Sequence, residues 1–153
     1  MITKSWAVTS IAIIVIQGCA MERTVTSKDD NRPCVTNYKT EGDFLSGKQF
    51  MTFQDFPRVS AAAAFDSVGA AIASSGLQIT STNKDLGIIS AVQQVSYSSG
   101  GKTVPLNAVV RSNTGGGVRV ELRFSMSGGL VTSADAVQEK FCTLLATVFT
   151  GMA

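Results

Sequence analysis

Val118-Arg119-Val120-Glu121-Leu122-Arg123-Phe124-Ser125-Met126 alternates apolar and polar residues without a break. Successive side chains of a strand point to opposite faces. Val118, Val120, Leu122, Phe124 and Met126 therefore face a core, while Arg119, Glu121, Arg123 and Ser125 face water or a partner. A sheet with one wet face needs something apolar on its other face, and the flanking sequence supplies it.

Upstream, Asn113-Thr114-Gly115-Gly116-Gly117 reads as a turn. Before it, Thr103 to Arg111 reads as a strand with Val104, Leu106, Ala108 and Val110 on one side. Pro105 lacks a backbone donor and favours an edge or a strand start. Ser98-Ser99-Gly100-Gly101-Lys102 is another turn, preceded by a strand from Ile88 to about Ser98 with Ile89, Ala91, Val95 and Tyr97 facing inward. Gln93 interrupts that row, which suggests a bulge or an edge. Asn83 to Gly87 turns the chain, and Leu77 to Thr80 is a short strand.

Two helices flank this meander. Ser60 can cap the run from Ala61, in which Ala61, Ala64, Phe65, Val68, Ala71, Ile72 and Ser75 share a side. Gly76 suits the left-handed position after the last turn. Gly69 inside the helix points to a close approach to the sheet, at a cost of roughly 1 kcal/mol in propensity. Past the sheet, Val137, Phe141, Leu144, Leu145 and Val148 form an apolar stripe. That helix begins near Thr132 or Ser133, where Thr132 and Asp135 have capping-box spacing, and Gly151 marks its stop. Phe50 to Phe56 offers one further strand. The expected architecture is α+β: a two-layer sandwich of a four-stranded antiparallel meander flanked in sequence by two helices.

The core and turn positions carry a resemblance. Ser60, Phe65, Val68, Ile72, Gly76-Leu77-Gln78-Ile79 and Asp85-Leu86-Gly87-Ile88-Ile89-Ser90-Ala91 resemble the small helix-grip domain of BamC-like bacterial lipoproteins. The resemblance implies an envelope lipoprotein that binds other proteins in a multi-part assembly. Those proteins carry two such domains, and this chain has room for one.

The N-terminus agrees with that expectation. Lys4, then Trp6 to Val8 and Ile11 to Ile16, follow the order of a secretion signal. Ile16-Gln17-Gly18-Cys19 resembles the bacterial lipobox, which implies cleavage after Gly18 and lipid on Cys19. Ala20 and Met21 take the place of the Asp that resembles an inner-membrane retention signal. The expected organisation is a signal peptide over 1–18, a lipidated polar tether over 19–49 and a single domain over 50–153. The expected location is the periplasmic side of the outer membrane.

Charge and composition exclude several functions. Loss of the signal removes one lysine from 13 Lys and Arg facing 11 Asp and Glu. The near-neutral remainder argues against nucleic-acid binding, which needs a concentrated basic footprint. No His is present, which removes most acid–base, triad and catalytic-zinc schemes. In an oxidising compartment Cys34 and Cys142 read as a disulfide. So long a loop gives about 4–5 kcal/mol by chain entropy. No cofactor or metal is expected.

Asp55, Asp66, Asp135 and Glu139 are the carboxylates left for an enzyme, and they read instead as solvated acids. Ser99-Gly100-Gly101-Lys102-Thr103 precedes a strand, whereas a P-loop precedes a helix. The outward row Arg119, Glu121 and Arg123, extended by Arg111, is the candidate interaction face. The leading expectation is a non-enzymatic structural or protein-interaction component of an envelope assembly. The alternative is a carrier or sensor of a small molecule or lipid. It would use a groove between the sheet and the last helix, lined by Phe124, Phe141 and Val120.

Overall fold

A computed structural model describes residues 30–94 and 103–150. The elements are α1 (Pro33–Thr36), β1 (Lys39–Asp43), β2 (Gly47–Phe56), α2 (Ala61–Ser74), β3 (Gln78–Asn83), β4 (Ile88–Gln94), β5 (Thr103–Ser112), β6 (Val118–Met126) and α3 (Ala134–Thr150). All six strands form one antiparallel sheet in the order β1-β2-β6-β5-β4-β3. Strands β3 to β6 are the expected meander, and the β1–β2 hairpin extends it along the free side of β6. The helices cover one face, a helix-grip-like α+β arrangement.

Alternation in β6 becomes burial. Val118, Val120 and Leu122 are buried, and so are Val104, Leu106, Ala108 and Val110 on β5. These rows meet Ala64, Phe65, Val68, Ala71 and Ile72 of α2. From α3 come Val137, Phe141, Leu144, Leu145 and Val148. Ser60 Oγ accepts the Ala63 N–H at 3.2 Å, which satisfies one of α2's orphan donors.

Several expectations are corrected locally. Ser133, and not Thr132, caps α3: its Oγ accepts the Ala136 N–H at 3.4 Å. Pro105 lies on an internal strand, just past the last β5–β6 pair at Leu106 and Phe124, where its missing donor leaves no ladder bond unmade. A Cβ on Gly69 would meet only Ile89 Cδ1, at an ordinary 3.7 Å, so no close approach requires that glycine. Gln93 pairs in register with Val104 and makes no bulge in the β4–β5 ladder. The stretches around Cys19, Val95, Tyr97, the Gly100-Gly101-Lys102 turn and Gly151 lie outside the described residues.

Residues 30–49, read from sequence as part of a tether, carry α1, β1 and the start of β2. Every residue of β1 is exposed. Among the described residues its only sheet neighbour is β2, so no apolar row marks it. Cys34 is buried and bonded to Cys142 of α3. Thr52 donates its hydroxyl to the Cys34 carbonyl at 2.9 Å, Tyr38 donates to the Ala134 carbonyl at 2.9 Å, and Arg32 reaches Glu139 at 2.9 Å.

Candidate functional site

Between the sheet and the first half of α3 lies a groove of about 190 Å³. Strands β5 and β6 supply Leu106 and Phe124, α3 supplies Val137, Phe141 and Leu144, and Leu77 closes the end beyond α2. Ala136 and Gln93 at the rim are exposed, so the groove opens to solvent. Phe124 remains partly exposed while its row-mates Val120 and Leu122 are sealed, so its ring is a wall of the groove. Of the three residues expected there, Phe124 and Phe141 line it. Val120 does not, because it is fully buried in the core.

Polar groups converge on this apolar slot. Gln93 belongs to the helix-facing row of β4, since its register partner Val104 is buried. Thr132 stands at the entry to α3. Lys140 occupies a position of the apolar stripe, three residues after Val137 and four before Leu144. Its ammonium donates to the Ser75 carbonyl at 2.9 Å, at the C-terminal end of α2 where carbonyls lack helical partners. Lys140 has no place in the reading of the sequence, and Thr132 figures there only as a helix cap. The available signal was a charged residue at a core-facing helical position.

The sheet's outer face holds the charged row. Arg119 and Asp55 are cross-strand partners, joined at 2.9 and 2.8 Å. The Arg119 guanidinium holds the Asp55 carboxyl below its ordinary value, with Asn113 adding a weaker bond, and is itself raised by that carboxylate. Arg111 lies opposite Arg119, Glu121 between Phe53 and Val109, and Arg123 between Met51 and Asn107. The four expected residues thus share one face, but Arg119 is already engaged. A hollow of about 530 Å³ lies there, reaching Lys39 on β1. Among the described residues its walls come from the sheet and the segment leading into β1, and no helix lines it. The smaller groove has protein on two sides.

The remaining candidate carboxylates are surface groups. Asp66 pairs with Lys84 at 2.9 Å and Glu139 with Arg32. Asp135 lies exposed in the first turn of α3. No cluster of three or more His, Cys, Asp or Glu able to hold a metal occurs among the described residues. No helix among them is long and apolar enough to cross a membrane.

No family model matches this sequence, and no curated protein matches it. Among solved structures the chain is similar to Ara h 8.0201, a plant allergen of the helix-grip fold. The identity is 11%, the TM-score 0.38, and the match covers 69% of this chain and 99% of the other. The similarity is weak and partial, and it is not to a bacterial lipoprotein. The expectation of a structural lipoprotein on the periplasmic side of the outer membrane finds no support there and is withdrawn with its envelope assembly; Cys19 itself lies outside the described residues.

Proposed function

We propose that this protein carries or senses a small, largely apolar molecule held in the groove between the sheet and α3. The observation that carries the reading is the groove itself. It is an apolar slot with walls from two layers, met by a few polar groups, which is the usual make-up of a small-molecule site. At about 190 Å³ it falls below the roughly 300–1,000 Å³ of drug-sized pockets, so the ligand is short. The proposed activity is binding without catalysis. The lack of His and the engagement of Asp55, Asp66 and Glu139 in surface ion pairs support that part of the reading.

Nuclear magnetic resonance titration of the full chain with 1-hexanol tests it. Saturable shifts are expected at Phe124, Val137, Phe141 and Leu144, and Ala136→Trp, which puts an indole at the rim, should abolish them. Shifts that never saturate, or that persist in the Ala136→Trp protein, would remove the groove from consideration.

A further inference from the structure

The groove's lining contains one charged side chain, Lys140, and no carboxylate among the described residues. Its ammonium, bonded to the Ser75 carbonyl two residues before Leu77, gives the slot a positive sign. Two interactions hold it there. Its alkyl stem belongs to the apolar stripe of α3, and one of its N–H groups donates to the Ser75 carbonyl at 2.9 Å. A cation is favoured near a helix C-terminus, so α2 keeps the ammonium in place without neutralising it. Lysine has three donors. The Ser75 carbonyl takes one, and no acidic side chain pairs with Lys140 among the described residues.

We propose that the groove selects a short, unbranched monocarboxylate. Its alkyl chain lies along Phe124, Phe141 and Leu144, and its carboxylate accepts from the two remaining Lys140 donors. Gln93 and Thr132 belong to the same lining and carry further hydrogen-bonding groups. The inference rests on the groove being a ligand site and adds the chemical class of the ligand. A carboxylate there is an ion pair as well as a hydrogen-bond acceptor, whereas an alcohol of equal length brings no charge of its own and an alkylammonium meets repulsion.

Calorimetric titration of the full chain with hexanoate, 1-hexanol and hexylammonium separates the two layers of the argument. Hexanoate should bind about tenfold more tightly than 1-hexanol, a difference of about 1.4 kcal/mol from pairing opposite charges, with hexylammonium weakest. Lys140→Met keeps the stem and removes the charge, so it should abolish the preference, weakening hexanoate about tenfold more than it weakens 1-hexanol. Lys140→Arg should preserve the preference, and it guards against a Met variant that folds poorly after losing the bond to Ser75. Equal affinity for hexanoate and 1-hexanol in the native protein would overturn the carboxylate assignment and leave the groove standing. Binding of none of the three would overturn both.

Discussion

Asp55 grips Arg119 like a fork: Nε donates to one carboxylate oxygen at 2.9 Å and Nη2 to the other at 2.8 Å. The same guanidinium lies 4.2 Å from the centroid of the Phe53 ring, two residues earlier on β2. One arginine of the outer face is thus committed to holding β2 against β6, through a bidentate pair and a cation–π contact.

That grip should be visible as pH dependence. Asp55 is held below its ordinary pKa in the folded chain, chiefly by the Arg119 hydrogen bonds. A carboxylate depressed on folding contributes stability that is present above its unfolded pKa of about 3.9. That contribution is lost as pH falls through the lower folded value. Asp55→Asn should therefore lower the urea midpoint slightly near neutral pH, since both side chains are close to half exposed. Below about pH 4 the gap to the native protein should shrink and then close. A gap that persists in acid would mean that the carboxylate charge is not its source.

The Cys34–Cys142 bond spans 108 residues of sequence. Chain entropy assigns about 4.7 kcal/mol to a loop of roughly this length, and measured effects centre on about 2–4 kcal/mol. Replacing both cysteines by alanine should cost that smaller amount in urea denaturation, and a reductant should reproduce the loss in the native protein. An unchanged midpoint on reduction would show that packing around α1 suffices.

Two glycines make opposite predictions. Gly69 sits inside α2 with room for a methyl group, so Gly69→Ala should stabilise by about 0.5–1 kcal/mol. Gly87 has φ +66°, and a Cβ there would overlap the Val110 carbonyl across the β4–β5 ladder. Gly87→Ala should cost more than the roughly 1–2 kcal/mol of a left-handed alanine alone, because backbone must also move. Thermal unfolding of the pair of variants would reveal the opposite signs. A neutral Gly87→Ala would mean that the turn re-forms easily.

Much of this fold is written in apolar spacing. The two-residue rows of β5 and β6 and the helical stripes of α2 and α3 each bury a face, so they are legible one element at a time. β1 is not legible, because Lys39-Thr40-Glu41-Gly42-Asp43 buries nothing and owes its place to the ladder with β2. α1 is a single turn held by tertiary bonds through Cys34, which no local pattern announces. The groove was half legible. Phe124 and Phe141 could be named from the inward rows. Gln93 looked like a flaw in one row, and Lys140 was hidden on a stripe whose apolar members alone were counted. Each is a polar residue on a core-facing position of a different element. Only the folded chain shows that both irregularities fall at the same slot.

The disulfide bears on the groove from behind. At 3.6 residues per turn, Cys142 points nearly opposite to the side of α3 shared by Ala136, Lys140 and Leu144. The helix is therefore bolted on its back while its front forms a binding wall. Like the tethered jaw of a vice, it is held against rolling away to admit something larger, and the opposing jaw is Leu106 and Phe124 on the sheet with Leu77 past the end of α2.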